Sequence, residues 1–217
     1  MKNVFKILAR EEGVKTDNLK KILCPLGEVE VILDTEEDIE GYTGMTGKWK
    51  LKTTAWDILF KDLKEEYTWV IEDDTAFNEQ TIKNILNSFA SNEAELISNW
   101  ICTKYEHVCW GWWHLNHHFK STELWHSLNC FCRVSPSLIK KVKQYRDRYN
   151  KFLFHEMLLP SLAETKVDFR KHGFESYFKN NNFNWSMPAV RLDRIVGSKV
   201  YHPVKSDKKH TEICNYE

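Results

Sequence analysis

The stretch Tyr67-Thr68-Trp69-Val70-Ile71-Glu72-Asp73-Asp74-Thr75-Ala76-Phe77 is an apolar run that stops at three consecutive carboxylates. Trp69, Val70 and Ile71 are too apolar for a loop rim. A buried strand that delivers carboxylates at its C-terminal end is how open α/β sheets offer ligands to a metal and a phosphate. Hard oxygen donors suit Mg²⁺ or Mn²⁺, which complete their shells with substrate phosphates. The expectation is therefore chemistry on a nucleotide diphosphate, and the plainer alternative is a solvated acidic turn. Adjacent carboxylates repel one another, so a cation or nearby bases must hold all three ionised. Alternation along a strand points Glu72 and Asp74 to the same side. Asp74 is then the direct metal ligand with Glu72 beside it, while Asp73 reaches a ribose hydroxyl or a metal-bound water.

Working outward, residues 4–8 and 28–33 read as strands, with a short helix between them over 17–26 (Leu19, Ile22 and Leu23 on one face). This β-α-β start favours a parallel sheet. Residues 41–50 hold Gly41, Gly44 and Gly47 with basic Lys48 and Lys50. They read as a mobile loop able to close over a phosphate, without a Walker-type pattern. Residues 54–65 form a helix on the stripe Trp56, Leu59, Phe60, Leu63. Asn78 caps a further helix carrying Ile82, Ile85, Leu86 and Phe89. Strands follow at 95–103 and 127–134, and Ser135-Pro136 starts a helix with Pro at its first position. Residues 152–165 read as a helix limited by Pro160, and the tail from Gly173 as loop-dominated. The fold class is α/β: a single-domain, GT-A-like (Rossmann-like) mixed sheet flanked by helices, with 1–100 as the nucleotide- and metal-binding half and 101–217 as the acceptor half.

With 217 residues, one large domain is the better prior. An apolar content of 42% supplies a core and argues against disorder. Basic and acidic residues number 31 each, which disfavours a nucleic-acid partner. No apolar run reaches the roughly 18 residues of a membrane span. The N-terminus lacks a signal-peptide core, so a cytoplasmic location is expected. The six cysteines contain no C-x-x-C pair and are expected as free thiols. Cys130 and Cys132 should share one face of a strand, as core residues rather than ligands.

An apolar strand closing in Glu-Asp-Asp resembles the DxD-type motif of GT-A-fold glycosyltransferases, which bind a nucleotide-sugar diphosphate through a divalent metal. Three further segments strengthen the resemblance. Thr54-Ala-Trp-Asp57 sits one helix upstream, Phe154-His-Glu-Met-Leu-Leu-Pro-Ser-Leu-Ala163 lies downstream, and Val200-Tyr-His-Pro-Val-Lys205 is similar to a C-terminal His-Pro-Val-Lys element. The compact chain also looks like small transferase domains of large algal DNA viruses, which would place it in the host cytoplasm.

The resemblance implies roles for particular residues. His202 would complete a Mn²⁺ (or Mg²⁺) shell with Asp74 and Glu72, and Lys205 would sit near the diphosphate. Glu156 would act as general base on an acceptor hydroxyl and so invert the anomeric centre; the alternative is a surface Glu paired with His155. Arg10 and Asp34, at the ends of the first strands, are placed near the base and ribose, with Lys48 and Asp57 as weaker donor-site candidates. Among the aromatics of 100–126, Trp112 and Trp113 are expected to stack an acceptor sugar, with core packing as the alternative for about half of them. Cys109, His114, His117 and His118 invite a structural zinc, but their spacing matches no common finger.

The expected function is transfer of a sugar from a nucleotide diphosphate, UDP by expectation, to a hydroxyl of a glycan or glycoprotein acceptor. The alternatives are a metal-dependent phosphohydrolase or nucleotidyltransferase on the same carboxylates, and a non-catalytic carbohydrate-binding module built on the tryptophans.

Overall fold

The computed structural model describes residues 3–34, 50–64, 66–171 and 199–216. Its centre is a six-stranded mixed sheet with the spatial order β2-β1-β3-β5-β4-β6. The strands are β1 (Asn3–Ala9), β2 (Gly27–Leu33), β3 (Thr68–Glu72), β4 (Leu96–Thr103), β5 (Trp125–Val134) and β6 (Lys166–Asp168). β1 pairs in parallel with β2 on one side and β3 on the other, β5 runs antiparallel between β3 and β4, and β6 is parallel to β4. One sheet thus joins both proposed halves of the chain in a Rossmann-like α/β fold.

Strand alternation divides the core. Leu8, Val70, Cys132 and Val134 pack on one face against α2 (Lys50–Asp62), α4 (Pro136–Tyr149) and α5 (His155–Leu162). Phe5, Ile7, Trp69, Ile71 and Phe131 pack on the other against α1 (Val14–Leu23), α3 (Glu79–Ser88) and α6 (Asp207–Cys214). Each fully buried side chain of this kind contributes roughly 1.5–3 kcal/mol. Gly27 is required where β2 begins, because a Cβ there would collide with the Asn3 carbonyl.

Two helices start where the sequence places their caps, whereas α1, α2 and α5 begin away from their expected bounds of 17, 54 and 152. The Asn78 side chain accepts from the Thr81 N–H at 2.9 Å, and Ser135 accepts from Leu138 at 3.1 Å, with Pro136 in the first turn. Two elements escape the sequence reading. β6 has only three residues, too few for a pattern. The tail also contains α6, capped by Ser206 and burying His210, Ile213 and Cys214 at i, i+3 and i+4 spacing. Lys48 and the glycine-rich loop lie outside the described residues.

Candidate functional site at the carboxyl edge of the sheet

Arg10, Asp34 and Asp73 are each the first residue beyond a parallel strand, β1, β2 and β3 respectively. Parallel pairing brings all three strand ends to one edge. The backbone N–H of Asp34 donates to Ala9 at 2.8 Å and that of Asp73 to Leu8 at 2.9 Å, which fixes them in register. α1 and α2 cover opposite faces, so the chain leaves β1 on one side and returns beyond it on the other. The gap between β1 and β3 is therefore a topological switch point, where open α/β sheets bind ligands.

Beyond β3 the chain turns tightly, with Thr75 N–H donating to Glu72 at 2.9 Å. The segment at residues 200–204 docks on this turn. Ala76 and Tyr201 exchange both backbone hydrogen bonds at 2.9 Å, and Val204 N–H donates to the Asp74 carbonyl at 2.7 Å. The His202-Pro203 peptide between them is cis. This clamp carries His202 Nε2 to 3.2 Å from Asp74 Oδ1 and 3.4 Å from Glu72 Oε2. Lys205 forms an ion pair with the other Asp74 oxygen.

α6 holds the turn from behind. His210 Nε2 lies 3.1 Å from the Thr75 carbonyl and its Nδ1 lies 3.3 Å from Asn18 Nδ2. Those partners require a neutral ring with the proton on Nε2, and burial accordingly pushes its pKa down to about 4.

The electrostatics follow from burying several acids together. Asp73 is pushed up to about 6, first by burial and then by the neighbouring Asp74, with Lys15 opposing. Asp34 also rises to about 6 through burial, although Ala55 N–H donates to it at 2.6 Å and Thr54 Oγ1 at 3.0 Å. Arg10 lowers that value and Glu72 raises it, so Asp34 shares the field of the acidic turn. Burial works against the imidazolium of His202, but the Cys130 thiol and the Asp74 carboxylate outweigh it and hold the ring well above its usual range.

The expected metal ligands Glu72, Asp74 and His202 are brought together. Among the described residues, the one grouping of three side chains able to share an ion is Glu72, Cys130 and His202, whose ligand atoms all lie within 4.8 Å of one another. Carboxylate and imidazole oxygen and nitrogen fit Mn²⁺ better than Mg²⁺, which takes oxygen donors. Cys130 was missed as a site residue because, on the sequence, it reads as core. It is buried, but it does not share its surroundings with Cys132: the two thiols belong to opposite hydrophobic clusters. No signal in the sequence singles it out; only the pairing of β5 with β3 sets it beside the acidic strand end.

The remaining candidates are spread differently. Glu156 is half-buried in the first turn of α5, close enough to add its field to the Cys130 thiol. Its neighbour His155 is buried and stacks on Trp56 with ring centroids 4.3 Å apart. Asp57 is buried within α2. Trp113 is buried with its indole N–H donating to His107 at 2.9 Å, which suits packing; Trp112 is half-buried, 5.8 Å from the Phe154 ring. The residues considered for structural zinc go elsewhere. His118 Nδ1 lies 2.6 Å from Tyr145 Oη, His114 Nδ1 lies 2.8 Å from the Gly111 carbonyl, and Cys109 is exposed.

No family model and no curated protein matches the chain. Among solved structures, it is similar to A197 from STIV, with a TM-score of 0.35 and 10% identity over 66% of this chain and 70% of that one. No described helix is long and apolar enough to cross a membrane.

Proposed function

We propose that the chain is a metal-dependent glycosyltransferase that moves a sugar from a nucleotide diphosphate, UDP in the first instance, to a hydroxyl of a glycan or glycoprotein acceptor. The observation that supports it most is the convergence of Arg10, Asp34 and the acidic turn at a topological switch point, with His202 and Lys205 docked on the same turn. Glu72 and His202 would hold a divalent cation, with Asp74 Oδ1 beside the same imidazole. Bound there, the cation would supply charge stabilisation for the departing diphosphate. Lys205, a compact cation 39% exposed at its side chain, would face the diphosphate from the solvent side. Arg10 and Asp34 would receive the nucleoside, and Asp73 a ribose hydroxyl.

Glu156 would take the proton from the acceptor hydroxyl, so that attack opposite the leaving group inverts the anomeric centre. Trp112 would present a ring face to the acceptor, where sugar C–H groups stack. Isothermal calorimetry with UDP, with and without Mn²⁺, tests the reading. Metal-dependent micromolar binding is expected. If neither UDP nor GDP binds in the presence of the metal, the transferase reading fails.

A further inference from the structure

Glu72 and His202 are joined in their cluster by a sulfur. Cys130 sits on β5, the strand paired with β3, and its Sγ is within 4.8 Å of both a Glu72 oxygen and a His202 ring nitrogen. Asp74 Oδ1 stands beside the same imidazole at 3.2 Å. Tetrahedral zinc bonds of about 2.0–2.3 Å set donor atoms roughly 3.3–3.8 Å apart, so side-chain shifts of about an ångström suffice to bring these groups onto one ion. The surroundings are closed: Cys130 and the His202 ring are almost fully buried, and Glu72 is 13% exposed at its side chain. Burial of this degree disfavours Mg²⁺, which keeps several waters in its shell.

We infer that Cys130 is a metal ligand, and that the site takes Zn²⁺ or a cation of its class on a mixed sulfur, nitrogen and oxygen donor set. A thiolate is a soft donor that discriminates against Mg²⁺, and the Irving–Williams order places Zn²⁺ and Co²⁺ above Mn²⁺ at such a site. Binding replaces both the thiol proton and the ring proton that makes His202 an imidazolium, and the two leave to solvent. Glu72, Cys130 and His202 would then be the three protein ligands. Asp74, tied to Lys205 through its other oxygen, would flank the position left open, as three-ligand zinc sites require. The ion's identity rests on these donors; only its role towards a diphosphate rests on the transferase reading.

Cobalt titration of the whole chain tests the assignment without any nucleotide. A near-ultraviolet thiolate-to-cobalt charge-transfer band is expected in the wild type, lost in Cys130→Ser and kept in Cys132→Ala. Zn²⁺ affinity should fall about tenfold or more in Cys130→Ser. Should that variant not fold, X-ray absorption of the zinc-loaded wild type decides, with a sulfur scatterer expected at about 2.3 Å. A shell of nitrogen and oxygen alone, or a band that survives Cys130→Ser, would overturn the inference. The two proposals fail separately. A missing cobalt band alongside metal-dependent UDP binding removes only the sulfur ligand, whereas a cobalt band without nucleotide binding removes only the transferase.

Discussion

His202 Nε2 lies 3.2 Å from Asp74 Oδ1, joining the C-terminal segment to the turn that ends β3. Three backbone hydrogen bonds, not the side chains alone, fix that approach. The imidazole and the carboxylate are thus held as a pair before any ligand arrives, which lowers the ordering cost of binding.

Asp74→Asn keeps the shape of the turn and removes one charge. On the transferase reading, metal-dependent UDP affinity is expected to fall about 10-fold to 100-fold, since the carboxylate beside the cation and the Lys205 ion pair are lost together. Calorimetry at fixed Mn²⁺ or Zn²⁺ checks this. Undiminished affinity would place the cation elsewhere.

Asp73 gives a pH signature. Its folded pKa of about 6 lies above the ordinary 3.8, so the fold binds a proton there that the unfolded chain releases. The stability tied to that proton is fully present below pH 3.8 and is lost as pH rises through 6. At pH 7 without metal, Asp73→Asn should therefore be more stable than the wild type, by on the order of 2 kcal/mol. The gap should close towards pH 4. Urea denaturation at both pH values measures it, and a gap that does not change with pH would contradict the buried-acid account.

His210 acts in the opposite direction. Its folded pKa of about 4 lies below the ordinary 6.5, so the unfolded chain gains a proton first as pH falls. Stability is lost between pH 6.5 and 4 on this account. His210→Asn should cost about 1–3 kcal/mol at pH 7, through the lost bond to the Thr75 carbonyl, and should flatten the acid limb. Melting curves from pH 7 to 4 report both effects.

Glu156→Gln preserves the side chain's size on α5. If the transferase reading holds, donor binding should stay within error of the wild type, while transfer falls about 10²-fold to 10⁴-fold. A kcat close to that of the wild type would assign the proton to another group.

The elements with strong local patterns were legible from the sequence. The stripe Trp56, Leu59, Phe60 and Leu63 is buried as its spacing requires, and the Asn78 and Ser135 caps are in place. The strand ending in Glu72 lies in mid-sheet. What was hidden depends on long-range pairing. Cys130 looks like any strand core residue until β5 is set beside β3, and its sulfur acquires meaning only from His202. α6 was obscured because His210 breaks its apolar stripe, yet that histidine is buried to serve the acidic turn. Trp113 is ambiguous by composition; in the fold it is buried, with its indole N–H donating to the His107 carbonyl.

The docking of residues 200–204 on the turn after β3 has a consequence for synthesis. A ribosome releases β1, α1, β2 and β3 long before it releases His202 and Lys205, so the sheet edge can exist while the site does not. A nascent or prematurely terminated chain would present its acidic turn without a histidine to share an ion. An ion shared between Glu72 and His202 would thus be held only once translation has passed residue 202.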